Sequence, residues 1–173
     1  MKLTLKNAET FAKDKFQNMP ETDYKWNLLH SRYIIRAIKD LTQDKNIINK
    51  LKPLAFVHDV GKIKSEENHA QLSLDVLKDF NLDEVDKDCI LNHGSSSKPI
   101  TEEGKIFRVA DGLSLFYKKV INFIIKVDRQ EGKNFEEINN SIASRYKKYS
   151  EAYADYPKAI EILSENFGKF KKS

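Results

Sequence analysis

The sequence predicts an all-α fold, a single bundle of about seven helices, and three observations carry that expectation. Only four prolines and six glycines interrupt the 173 residues. No segment sustains the period-two alternation of a half-buried strand. Apolar residues recur instead at three- and four-residue spacing along most of the chain.

The elements follow in order. LKNAETFAKDKFQNM, residues 5–19, reads as a first helix ending before Pro20. In DYKWNLLHSRYIIRAIKDL, residues 23–41, Leu29, Tyr33, Ala37 and Leu41 share a helical rhythm, and so do His30, Ile34, Ala37 and Leu41. His30 therefore lies on or beside a buried stripe. A third helix runs through LKPLAFVHDV, where Pro53 starts or kinks it and Gly61 is placed to stop it. The polar connection KSEEN leads into a helix at HAQLSLDVLKDF, and LDEVDKDCILNH follows, with Asp83 as N-cap and Gly94 as terminator. GSSSKPITEEG is the clearest loop. One long apolar-periodic stretch then covers residues 105–127, and residues 135–170 form two further helices jointed at Tyr156-Pro157. Neither a repeat nor a domain boundary is visible. Residues 1–173 read as one domain, with a motif-bearing core at 24–117 and helices over 118–173 that complete the bundle.

Composition excludes several classes. A single cysteine, Cys89, rules out an internal disulfide framework and any four-cysteine zinc site, and it points to a reducing compartment. The N-terminal MKLTLKNAETF lacks the apolar run of a secretory signal, and VINFIIKV is too short to span a bilayer. A cytoplasmic, non-membrane protein is expected. Thirty basic against 26 acidic residues leave a net charge of +4. That excess is spread over the chain, so nucleic-acid binding, backed only by this charge and the terminal KFKKS, is not favoured. The apolar helices after Asp111 leave a homodimer open, as ordinary core packing does.

Chemistry concentrates in six residues. All four histidines, His30, His58, His69 and His93, sit at helix ends or on apolar faces. Asp59 directly follows LAFVH, and Asp111 lies within IFRVADGLSLF. A carboxylate against a core is costly unless its charge is compensated, and no Arg or Lys one turn away pairs with both. A divalent cation compensates carboxylates, and neutral imidazoles complete its coordination. A mixed His/carboxylate set suits Mn, Fe, Co or Ni, with Zn or Mg also accommodated.

HDVGK at His58 to Lys62, the upstream histidine in LLHSRY and the downstream VADGLS together resemble the HD-domain metal-dependent phosphohydrolases, over roughly residues 24–117. The resemblance implies an HD-type helical fold in which His30, His58, Asp59 and Asp111 hold one metal. ENHAQLS and ILNHG match the places where two-metal members carry extra histidines. By that likeness His69 and His93 hold a second metal, Asp59 bridges the two, and iron or manganese is the favoured ion. Two cations about 3.5–4 Å apart lower the pKa of a water and orient phosphate oxygens. The implied reaction is hydrolysis of a nucleotide or other small phosphate ester or anhydride through a metal-activated water, with Asp59 and Lys62 as catalytic residues. The alternative is a non-catalytic, metal-containing nucleotide-sensing or structural module.

Lys62 is placed either to reach a phosphate or simply to favour a helix C-terminus. Ser95, Ser96 and Lys98, in the loop after His93, make a phosphate cradle or a plain polar linker. Trp26 and Tyr33 flank His30 and either stack on a base or fill the core. Tyr146, Tyr149, Tyr153 and Tyr156 read as a packing stripe. Dinucleoside tetraphosphate hydrolases of this superfamily typically show a Thr and an aromatic where Gly94 and Val60 stand. The Gly-Tyr-Pro signature of cyclic-dinucleotide phosphodiesterases is absent from the sequence.

Overall fold

A computed structural model describes residues 1–171. Nine α-helices and one 3-10 turn account for the regular structure among these residues, and the only strand-like feature is an isolated bridge between Lys2 and Asn81. The all-α class holds. The eight segments of helical periodicity become nine helices because residues 105–127 do not form one. They split into α6 (Glu102–Ser114) and α7 (Lys118–Gln130), broken at Leu115–Tyr117 where Phe116 turns into the core.

Most helix starts are legible in local chemistry, although α2, α4 and α7 begin without a side-chain cap. Thr4 and Asn7 form a capping box at α1 (Leu5–Phe16), and Asp44 accepts from Asn46 and Ile47 at α3 (Lys45–Val57). Asp83 and Asp86 do the same for α5 (Glu84–Leu91), Thr101 caps α6, and Asn134 with Glu137 boxes α8 (Phe135–Ala152). Pro157 opens α9 (Pro157–Lys171), where its missing N–H costs no hydrogen bond. Pro53 lies inside α3, so Lys45 and not Pro53 begins that helix.

The main core is built by α2 (Glu21–Leu41) packed against α3 and α6, with α1 across α3. Phe16, Ile34, Ile38, Leu54, Phe107 and Leu113 meet there, all almost fully buried. Of the two registers on α2, the one containing His30, Ile34 and Ala37 is buried, whereas Leu29 and Tyr33 are half-buried. Tyr33 packs on Tyr117. Lys172 and Ser173, the end of KFKKS, lie outside the described residues.

Gly61 has a role different from helix termination. It sits within the 3-10 turn Val60–Ile63, against α4 (His69–Val76). A Cβ there would lie 2.1 Å from the His69 carbonyl oxygen and 2.5 Å from Ser73 N. Only a hydrogen side chain lets the two segments approach so closely, and Ser73 Oγ accepts the Gly61 N–H at 2.8 Å. This contact sets the distance between the His58–Asp59 joint and His69.

Candidate metal centre

The six residues arrive from five places. His30 stands mid-way along α2. His58 is the C-cap of α3, and Asp59 follows in the bridge conformation (φ −105°, ψ 7°) before the 3-10 turn. The pair is thus presented at a joint between helices and not from within one. His69 is the first residue of α4, entered through Asn68 at φ 59°, the one positive-φ non-glycine residue among those described. His93 lies just past α5, and Asp111 belongs to α6.

Folding brings all six together. His30 Nε2 lies 2.9 Å and His58 Nε2 3.4 Å from Asp111 Oδ1. His58 Nε2 is 3.3 Å from Asp59 Oδ2, while His69 and His93 Nε2 approach the other oxygen, Oδ1, at 3.2 and 3.4 Å. His30, His58 and Asp59 form one set and Asp59, His69 and His93 another, and within each the candidate ligand atoms lie inside 4.8 Å of one another. Asp59 belongs to both.

The second ring nitrogen of every histidine is already engaged. Nδ1 faces a backbone carbonyl in His58 (Ala55, 3.2 Å), His69 (Glu66, 2.7 Å) and His93 (Ile90, 2.7 Å), so it carries the proton and donates. The Ser114 hydroxyl spends its own proton on the Asp111 carbonyl, so its oxygen accepts from His30 Nδ1 at 2.9 Å. All four Nε2 atoms therefore turn lone pairs towards two carboxylates and towards one another. His69 and His93 Nε2 are only 3.0 Å apart, and the buried His58 Nε2 and Asp59 Oδ1 have no hydrogen-bond donor. Acceptors crowded on acceptors need a cation among them, and Nδ1–H held by a carbonyl is the usual outer support of a metal-binding imidazole. The residues fit a divalent metal.

A family comparison settles what this arrangement belongs to. An HD domain is recognised over residues 29–115, half of the chain. The protein is an HD-domain protein. That membership places it in the metal-dependent phosphohydrolase superfamily, whose helical fold it shares. This HD-domain protein is also similar to ribonuclease Y from two strains of Ureaplasma parvum serovar 3, at 32% identity over 105 residues in each case. The match takes in 58% of this chain and 21% of the relative, so the chain spans about a fifth of the length of the curated relatives it matches. No solved structure matches it. Among the described residues no helix is long and apolar enough to cross a membrane.

The electrostatics of the HD-domain site are those of a buried ion cluster. Without metal a proton takes the cation's place on His58: burial works against its charge, but Asp59 and Asp111 beside it push the pKa up to about 9. Burial likewise opposes ionisation of Asp111, yet His30 and His58 hold it far below the usual carboxylate range. Asp59 does have a cationic neighbour, Lys62, whose Nζ lies 2.8 Å from Oδ2. Burial disfavours the Lys62 charge, and the Asp59 carboxylate outweighs it and raises the pKa.

A cleft of about 410 Å³ opens over these residues, within the range of small-ligand pockets. Lys62, Gly94, Ser95 and Ser96 line it; Lys98 is exposed and lies outside the lining. The loop turns back at Ser97 N to Gly94 O, and Asp88 then captures Ile100 N and Thr101 N, which fixes the loop's end on α5. Arg108 does not face the cleft. It donates to Ser95 O at 2.8 Å and to Ala152 O at 3.3 Å, bracing the loop from behind. Trp26 lines the cleft with its ring stacked on His30 at 5.5 Å, and it also meets Phe123.

Three lining residues from α8 escaped sequence reasoning: Arg145, Lys148 and Tyr149. Their i, i+3, i+4 spacing resembled an ordinary amphipathic face, and only the packing of α8 on α6 turns it to the site. A larger cavity of about 960 Å³, between α7, α8 and α9, contains none of the six residues.

Proposed function

We propose that this HD-domain protein is a metal-dependent phosphohydrolase acting on a nucleotide or other small phosphate ester or anhydride. The observation that carries this reading is the set of four imidazoles, each held through Nδ1 with Nε2 turned on shared carboxylates beneath a cation-lined cleft. His30, His58, Asp59 and Asp111 would hold one metal, and Asp59, His69 and His93 a second. When bound, such ions activate water and neutralise phosphate oxygens.

The remaining roles fall to the chain itself. Asp59 offers one oxygen to each set, and Lys62, held at 2.8 Å from it, places an ammonium at the cleft floor for a substrate oxygen. Ser95 and Ser96 supply hydroxyl and backbone donors at the rim, on a loop fixed by Arg108 and Asp88. The name of the ribonuclease Y relatives adds phosphodiesters to the substrates worth testing.

Elemental analysis of purified protein, followed by phosphate release from nucleotides and dinucleoside polyphosphates after loading with Mn or Fe, tests the reading. Two metals per chain and hydrolysis of at least one such compound are expected. Metal-free protein that stays inert after reloading would overturn it.

A further inference from the structure

We propose that Arg145, delivered by α8 from outside the recognised HD domain, binds a second phosphate beside the one held over the metal centre. The cleft then prefers di- and polyphosphates to monophosphates. This inference rests on the phosphohydrolase reading and names its substrate class.

Charge partners on the cleft wall point this way. Three cationic side chains line it, Lys62, Arg145 and Lys148. Lys62 is already paired with Asp59. The carboxylates that line the cleft, Asp59 and Asp111, face the imidazoles and Lys62, and neither comes within ion-pair distance of Arg145 or Lys148. Arg145 is half-buried, and it also borders a cavity of about 170 Å³ containing Asp23 and Asp128 without pairing with either. A partly desolvated guanidinium with no carboxylate in ion-pair range among the described residues gains most from a planar, two-pronged acceptor such as a phosphate.

The helix that carries Arg145 is docked beside the metal centre. One turn further along α8, the Tyr149 ring presses on α6 at Gly112, where a Cβ would lie 2.4 Å from Tyr149 Cε1. At the next residue pair along, the Tyr153 hydroxyl donates to the Arg108 carbonyl at 2.9 Å. Both contacts tie α8 to α6 next to Asp111. The helix backbone that carries Arg145 is thereby fixed relative to α6 and Asp111, while Lys62 reaches the same cleft from the 3-10 turn. A monophosphate over the metals and Lys62 leaves Arg145 without an anion. A second phosphate supplies one.

Calorimetric titration of metal-loaded protein with methylenediphosphonate, which cannot be hydrolysed at its bridge, and with inorganic phosphate tests the proposal. Arg145→Ala should weaken diphosphonate binding about ten- to hundredfold and phosphate binding by less than about threefold. Arg145→Lys should recover part of the loss, and metal content should stay at the wild-type value. Equal losses for both ligands, no loss, or a change in metal content would each overturn it. Failure of the wild type to hydrolyse any phosphate ester, with the diphosphonate effect intact, would sink the hydrolase reading and leave the Arg145 site standing. Hydrolysis with unaltered diphosphate preference in Arg145→Ala would do the reverse.

Discussion

The Nε2 atoms of His69 and His93 lie 3.0 Å apart, although each ring already donates through Nδ1 to a backbone carbonyl. Two imidazole lone pairs do not face each other at that distance without a cation between or beside them. Replacing both rings should therefore reduce metal content from two ions per chain to one, because His30, His58, Asp59 and Asp111 remain. Elemental analysis of a His69→Ala/His93→Ala variant reads this directly, and a variant that keeps both ions would remove these histidines from the site.

Asp59 turns its two oxygens to different imidazoles, which makes it the common member of both sets. Asp59→Ala should lose both ions and all hydrolysis. In the metal-free protein the same change should lower the pKa of His58, whose value of about 9 depends on Asp59 and Asp111. NMR titration of the His58 ring measures this without any substrate, and an unmoved His58 pKa would contradict the electrostatic picture.

His58 also predicts how metal-free protein responds to pH. Its folded pKa of about 9 exceeds its ordinary 6.5, so the protonated ring stabilises the fold fully below pH 6.5. That contribution is lost as pH rises through about 9. Metal competes with the same proton, so metal affinity should rise over this interval while the thermal stability of metal-free protein falls. Melting curves and metal titrations from pH 6.5 to 9 should move in opposite directions.

Gly61→Ala would drive a methyl group to 2.1 Å from the His69 carbonyl oxygen and 2.5 Å from Ser73 N, both backbone atoms that cannot swing aside. The turn and α4 must separate, at a cost of about 1–3 kcal/mol or more. Because that contact spaces Asp59 from His69, the second metal should be lost before the first. Denaturant unfolding together with metal counts checks both parts.

Asp88 anchors the loop that carries Ser95 and Ser96, accepting from Asn92 Nδ2, Ile100 N, Thr101 N and Thr101 Oγ1. Burial opposes its charge, but the bonds from Thr101, Asn92 and Ile100 prevail and hold its pKa low. Its stabilisation is present above the unfolded carboxylate range and lost as pH falls through the lowered folded value. Asp88→Ala should cost about 3 kcal/mol, since several donors lose their acceptor together. Chemical denaturation at neutral pH measures it, and the deficit against wild type should shrink in acid.

The sequence by itself determined the fold class, most helix starts and the six residues of the candidate centre. Periodicity, capping chemistry and the cost of an aspartate in an apolar run are local properties, readable from neighbours along the chain. His30 on its buried stripe and His58-Asp59 behind LAFVH are legible for that reason. Other features were decided only in three dimensions. Which ring nitrogen of each histidine is free depends on carbonyls and a serine supplied by backbone geometry. Gly61 looks like a helix stop until α4 is seen against it. The break at residues 115–117 follows from burying Phe116, which periodicity cannot distinguish from one continuous helix. Lys98 belongs to the same loop as Ser95, yet it is exposed outside the cleft lining, and Asp88 holds the loop's end against α5. Arg145 and Tyr149 carried no signal beyond an ordinary packing stripe. Their facing of the cleft comes from α8 docking on α6 at Gly112, a contact between segments more than thirty residues apart. Local patterns name the chemical groups, and long-range packing decides where those groups point.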